Sequence, residues 1–428
     1  MHDVVVVGGG PAGCYTASLL GQSGFDVHVL EEHPVIGEPV DCSGVIGAEA
    51  FTLLGLPNSI KLSEISRLTF VSPSALEVHF SPRSPLACVV DRAAFDRVIA
   101  EKSAASGVTF HLGSRVVDLE LRDDCVEVLV EELETSDVGH GSPNIRPSSF
   151  LASKPTRLGS WEARKPESYS PFTIHSQKLR AKMAVLASGP RYKFQRKLGM
   201  GQPGALLRTA QAEAPIRGIK NAKVLTGSQV APGSFAWIVP FQRGDEKFAR
   251  VGVSAGTSAL PCLKRLIHNL YDAGHLSSPD VSIRSWIIPI RPLRRTFSDR
   301  VLAVGDAAGQ TKPTTGGGLF YGLLSAEAAA HTAIQAFKKG DFSTGTLSGY
   351  EKEWRRRLGR EIKIGTLFRR LAERLTDQEI DDLFRVIQSD GILSALTGKA
   401  RFDWHKDIIY FILRHPALGR IFLKGLLR

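Results

Sequence analysis

The chain has 428 residues, 43% hydrophobic and 23% charged, with 12 histidines and 5 scattered cysteines; it is too long for one ordinary core, and no Cys-x-x-Cys pair supports a disulfide framework or a zinc site. The formal net charge of +11 points to an acidic partner: anionic lipid, nucleic acid or an acidic redox protein. No run of 18 apolar residues exists, which excludes a membrane-spanning helix.

The first strand is expected to begin at residue 3 or 4, with no leader before it. Four consecutive valines, Val4 to Val7, read as a strand buried on both faces. Gly8, Gly10 and Gly13 follow at the spacing of a dinucleotide-binding turn, opening a helix over about Pro11 to Gln22. A second strand, Val27 to Leu30, ends at Glu31, where a ribose-hydroxyl acceptor is expected. The loop Gly37 to Gly47 carries Cys42, Ser43 and Gly44 and leaves the ligand side of such a sheet. Residues 68–90 read as strands, and Asp91 is placed to cap a helix running from Arg92 to about Ser106. Short strands are expected at 108–112, 116–121 and 126–130. Residues 134–176 are rich in Ser, Pro, Gly and Arg with no apolar period, and read as an insertion.

A buried strand is expected over Met183 to Ala187. The second match to the glycine spacing, Gly199 to Gly204, lacks a preceding strand and contains Pro203, so it reads as a loop. Residues 205–297 alternate as an antiparallel sheet. Val301 to Val304 then runs into Gly305-Asp306 and the Gly316-Gly317-Gly318 cluster before an alanine-rich helix, a combination suited to anions and polyols. Residues 346–428 are helical and carry 17 Lys and Arg against 11 Asp and Glu. Thr376 to Glu379 reads as a capping box. At the tail, Leu418, Ile421, Phe422 and Leu426 share one helical face beside Arg420 and Lys424, either an interfacial helix or a stripe packed on the body.

Three signatures in this order resemble FAD proteins of the para-hydroxybenzoate hydroxylase type: the amino-terminal glycine turn with Glu31, the Asp91-Arg92 pair, and Gly305-Asp306. Pro39-Val40-Asp41-Cys42-Ser43-Gly44 resembles the PxxCxG loop of the geranylgeranyl reductase family. Phe235 to Pro240 resembles its YxWxFP motif, with Phe for Tyr and Val for Phe. Gly305 to Gly318 resembles its flavin motif. One departure is Ala187-Ser188-Gly189, where an acid is usual.

The expected fold is α/β. A Rossmann-type FAD-binding unit takes 1–67, 91–190 and 298–345, an antiparallel substrate sheet takes 68–90 and 191–297, and a helical region takes 346–428. The resemblance implies FAD, an oxidoreductase that saturates prenyl double bonds of a lipid, quinone or pigment precursor, and electrons from NAD(P)H or a small redox protein. It implies a cytoplasmic protein at the membrane surface, with no metal and no nucleic-acid partner. Expected FAD contacts are Gly8, Gly10, Pro11, Ala12, Gly13, Glu31, Glu32, Cys42, Ser43, Gly44, Arg92, Val116, Gly305, Asp306, Gly316, Gly317 and Gly318. Cys42 is the expected catalytic residue, its alternative being a small buried filler. Phe235, Trp237 and Pro313 are expected at the substrate, and the two aromatics read equally as core. Arg92 is either a flavin contact or half of a surface ion pair. The rival functions are a flavin monooxygenase or halogenase of an apolar substrate, and a non-catalytic flavoprotein at a membrane surface.

Overall fold

The computed structural model describes residues 1–40, 42–132, 175–389 and 391–426. The insertion expected at 134–176 lies outside the described residues, apart from its last two. In chain order the elements are β1 (His2–Val7), α1 (Pro11–Gln22), β2 (Val27–Glu31), β3 (Val45–Gly47), α2 (Ala48–Leu53), β4 (Lys61–Ile65), β5 (Leu68–Val71), β6 (Glu77–Phe80), β7 (Ala87–Val90) and α3 (Arg92–Ala105). They continue through β8 (Thr109–Leu112), β9 (Ser114–Leu121), β10 (Val126–Glu132), β11 (His175–Leu186), α4 (Lys193–Lys197), β12 (Leu206–Pro215), β13 (Ala222–Thr226), β14 (Phe235–Arg243), β15 (Glu246–Ala255) and α5 (Ala259–Asp272). The last are β16 (Ile283–Pro289), β17 (Phe297–Ser298), β18 (Val301–Ala303), α6 (Leu319–Lys339), α7 (Thr344–Ala372), α8 (Asp377–Gln388), α9 (Ile392–Lys399), α10 (Lys406–Arg414) and α11 (Pro416–Leu426).

An eight-stranded sheet runs β17-β18-β11-β1-β2-β8, parallel from β18 to β8. The early half of β11 pairs antiparallel with β10, and β10 with β9. The valines of β1 are central, between β11 and β2, and at most 4% exposed. The chain leaves β1 to one side through β2 and returns to its other side as β11, so a crevice opens at the strand ends where the order reverses. Helix α1 starts at Pro11, whose missing N–H costs nothing in a first turn. It packs against α3 and the alanine face of α6.

The seven-stranded sheet runs β16-β12-β15-β14-β13-β5-β6. Its side chains alternate as a half-buried strand should. On β14, Ala236 and Ile238 pack in the core under α5, while Phe235, Trp237 and Val239 turn to the opposite face, which lines a cavity. Residues 68–80 belong to this sheet, but Ala87–Val90 leaves it and pairs between β3 and β4 in a three-stranded sheet.

The carboxy-terminal region does not stand apart. Tyr350, Trp354 and Leu358 of α7 are fully buried in the core of the first sheet. Trp354 donates to Thr296 Oγ1 at 2.9 Å, and the Tyr350 hydroxyl donates to the Ala303 carbonyl at 2.7 Å. Two residues of the tail stripe face inward: Leu418 is fully buried, Phe422 is 3% exposed and its ring packs on Phe368. Thr376 closes the expected capping box with Glu379.

Candidate active site

One cavity of about 1460 Å³ joins the two sheets and the carboxy-terminal helices. At one end lie Gly8, Gly10, Pro11, Ala12 and Glu31; Cys42, Ser43, Arg92, Gly305, Asp306 and Gly316 to Gly318 follow. Glu32, paired with Arg191 at 2.6 Å, and Val116 stand at the rim of that end. The other end is apolar, with Phe80, Phe235 and Trp237 facing Phe368, Phe384 and Ile412.

The amino-terminal turn is shaped by close approach. Gly8 has φ +108, and a Cβ there would meet the Ala187 carbonyl at 2.5 Å; one on Gly13 would meet the Gly8 carbonyl at 2.2 Å. Gly13 therefore seats α1 against the turn and does not line the cavity. A Cβ on Gly10 would meet nothing within 4 Å, since Gly10 faces the open cradle. Glu31 accepts the Gly9 N–H at 2.6 Å through one oxygen, while the other takes His33 N–H at 3.0 Å.

Arg92 lines the cavity, and its ion pair is buried. It is not a surface pair: it donates to both oxygens of Asp96 at 2.6 and 2.7 Å with both side chains 11% exposed, while also lying against the Cys42 sulfur. Its Nε is buried without a partner, as is Ser188 Oγ on the opposite wall. The Asp306 carboxyl is pushed up to about 6 by burial, against the pull of Arg92.

The Cys42 loop is held from the seven-stranded sheet. Gln211 of β12 donates to the Cys42 carbonyl at 3.3 Å and accepts Trp237 Nε1–H at 3.1 Å. Arg250 of β15, 2% exposed, donates to the Ser43 and Val90 carbonyls at 2.8 and 3.0 Å. Gly44 (φ +63) makes room for it, because a Cβ there would lie 2.1 Å from Arg250 Nη1. Gly44 thus shapes the loop and is not in the cavity wall. The Trp237 indole lies over Gly252, its cross-strand neighbour. Phe235 and Trp237 line the cavity. Pro313 does not: it is buried against Gly365 of α7 and lends its carbonyl to Arg369.

Sequence reasoning missed Gln211, Arg250, Lys312 and Asp403. The one signal for Arg250 was a cation directly ahead of the apolar run Val251–Val253. Away from the cavity, the side chains of His2, Asp26 and His28 bring three metal-ligand atoms within 4.8 Å of one another at the amino-terminal ends of β1 and β2.

The residues present fit FAD. An open cradle before Gly10, two buried polar atoms without partners, and a helix start behind Gly316 to Gly318 offer an anion site, donors and a flat apolar continuation. Fold and site together define an FAD-dependent oxidoreductase of the Rossmann type. A family profile described as an NAD(P)-binding Rossmann-like domain matches residues 6–41. The digeranylgeranylglycerophospholipid reductase of Methanocaldococcus jannaschii is 26% identical over 99% of this chain and 97% of its own length. A geranylgeranyl bacteriochlorophyll reductase-like protein from Thermoplasma acidophilum superposes with a TM-score of 0.78, at 19% identity and 99% of each chain. The p-nitrophenol 4-monooxygenase of Pseudomonas putida superposes at 0.60, with 20% identity over 99% of this chain and 97% of its own. Over nearly its whole length the chain is thus similar in sequence to a digeranylgeranylglycerophospholipid reductase and in fold to a geranylgeranyl reductase-like protein.

Proposed function

We propose that this protein reduces carbon–carbon double bonds in the prenyl chains of a lipid. The observation that carries this reading is the continuity of the cavity, whose phosphate-binding end opens into an apolar hall bounded by Trp237, Phe235 and the carboxy-terminal helices. A site for a small aromatic substrate needs no such length. The relatives' names point the same way.

In this reading Gly8, Gly10 and the start of α1 hold the pyrophosphate, Glu31 the adenosine ribose, and Val116 and Glu32 the adenine end. Asp306 and Arg92 take the ribityl side, and the backbone of Thr315 to Gly318 faces the pyrimidine edge. Bound flavin supplies a hydride equivalent, and the protein's part is to place the alkene and supply the proton. Saturating one double bond takes two electrons and two protons. Cys42 is the proton donor in this reading, its sulfur lying between the Arg92 guanidinium and the Gly44 N–H at 3.4 Å. Gln211 and Arg250 hold the loop so that the sulfur keeps its place. Trp237 and the apolar wall exclude water from the reacting carbons.

Electrons come from NAD(P)H or a small redox protein docking transiently. A prenyl lipid is barely soluble, so in this reading it is reached at a membrane surface; among the described residues no helix is long and apolar enough to cross a bilayer. Half-buried Leu413 and Tyr410 of α10, flanked by Lys406 and Arg414, are the contact we favour. Binding to anionic vesicles that weakens with salt is the expected result.

The deciding experiment is anaerobic turnover. Dithionite-reduced protein is mixed with prenylated lipids, and products are read by mass spectrometry for a gain of two hydrogens per double bond. Product that forms only with oxygen, carrying an added oxygen or halogen atom, would refute the reading.

A further inference from the structure

We propose that Lys312 is a cation set beneath the pyrimidine edge of the flavin, favouring its reduced, anionic form, and that Asp403 holds it there and tempers its charge. The inference rests on the flavin placement given under the proposed function. The geometry is specific to these two residues.

Lys312 is 3% exposed. Its ammonium donates to Asp403 Oδ1 at 2.8 Å and to the Phe402 carbonyl at 3.1 Å, and stands 4.1 Å from the centre of the Phe402 ring. The side chain folds under the glycine loop. A Cβ on Gly317 would lie 2.6 Å from Lys312 Cε and 3.1 Å from its Nζ. The turn is closed by Lys312 N–H to the Gly317 carbonyl at 3.0 Å and by Gly316 N–H to the Lys312 carbonyl at 2.8 Å. The charge therefore sits under the same backbone that faces the cavity, and both Lys312 and Asp403 contribute to the cavity wall.

A buried ammonium is costly, and pairing it only offsets that cost. A well-packed apolar side chain would serve a purely structural loop at least as well. The carboxylate is also incompletely used, since Asp403 Oδ2 is buried without a partner. Reduction adds two electrons and one proton to the flavin, leaving one net negative charge on the cofactor. A fixed cation on that side stabilises the product of reduction, and a carboxylate behind it works against it.

The test is the flavin midpoint potential of the purified, FAD-loaded protein, measured by dye-coupled spectroscopic titration. Lys312→Met should lower the potential and Asp403→Asn should raise it. Each shift should be about tenfold in the reduction equilibrium, about 30 mV for a two-electron couple. Lys312→Arg should keep the potential near wild type. A loop that is merely propped by the pair does not give shifts of opposite sign. Should Lys312→Met fail to fold, Asp403→Asn and the double variant Lys312→Met/Asp403→Leu, which leaves no unpaired buried charge, decide the matter. The double variant should lie below wild type and Asp403→Asn above it. FAD-loaded variants with unchanged potentials, or shifts of the same sign, would overturn the inference while leaving the flavin reading intact. Wild-type protein that binds no FAD would overturn the flavin reading itself.

Discussion

The two glycine loops that face the cavity are built in opposite ways. The amino-terminal one is local. Gly8 N–H bonds the Leu30 carbonyl, Gly9 N–H bonds Glu31, and the Cys14 thiol bonds the Gly9 carbonyl, all within residues 8–31. The second loop, residues 305–318, is assembled from a distance. Gly305 N–H is held by Gln310, whose amide reaches the Tyr350 hydroxyl of α7 at 2.8 Å. Lys312 is held by Asp403, and Thr314 meets His405 at 2.6 Å. Glu361 of α7 in turn anchors the N–H groups of His405 and Lys406 at 3.0 and 2.9 Å. The first loop closes these hydrogen bonds within one βαβ unit, and the packing of Ala187 on Gly8 reaches it from a distance. The second depends on the carboxy-terminal helices, so stability there and flavin binding there are one property.

The sharpest way to break this comparison is at the glycines. Gly10→Leu should abolish FAD binding, read by the flavin spectrum, with the circular dichroism and melting temperature nearly unchanged, because its side chain enters only the cradle. Gly318→Ala should lower both FAD affinity and melting temperature, since a Cβ there lies 2.6 Å from Asp306 Oδ1. Equal losses of stability in the two variants would erase the distinction.

Removing residues 417–428 should rank next. It strips Leu418 and Phe422 from the core, each worth about 2–5 kcal/mol. Thermal unfolding should come earlier, and FAD should be lost with it through α10 and the second loop. A truncated protein that melts normally but no longer binds vesicles would restore the tail as a membrane anchor.

Cys42→Ala and Cys42→Ser should keep FAD and slow alkene reduction about 10²-fold, the usual worth of a positioned proton donor. Unchanged rates and product distributions would make Cys42 a packing residue. Arg250→Met should leave the Ser43 and Val90 carbonyls without their donor, costing about 1–3 kcal/mol in urea unfolding, and should alter the product distribution with FAD retained.

The smallest effect is a pH dependence. Burial, aided by the Lys312 charge, holds His405 down to about 3. An unfolded chain takes up that proton near pH 6.5, and the folded one does not until far lower. Stability is therefore complete above pH 6.5 and lost as pH falls toward 3, by at most about 1.4 kcal/mol per pH unit from this group. In His405→Asn the loss of unfolding free energy between pH 7 and pH 5 should be smaller than in wild type.

Much of the fold was legible because its signals are periodic or local. The valine strand, the Gly8-Gly10-Gly13 spacing, the Asp91 cap on Ala94 N–H and the Thr376 box each involve residues close in the chain. Phe235 and Trp237 were identified as candidates, but alternation alone places them on one face and does not say whether that face is filled or hollow. Pro313 was misplaced for a related reason. It sits in the cavity's own loop, yet its ring turns to Gly365.

By itself, then, the sequence determined that a dinucleotide turn opens the chain, that a second glycine loop precedes the alanine helix, and that the tail is amphipathic. These follow from steric and periodic rules acting over a few residues. Tertiary structure alone decided that Leu418 and Phe422 of the tail stripe turn inward, that Arg92 lies between Asp96 and Cys42, that Arg250 fills the space left by Gly44, and that Lys312 finds Asp403 91 residues further along. Those pairings satisfy buried polar groups, and which partner a buried group meets depends on how distant elements pack.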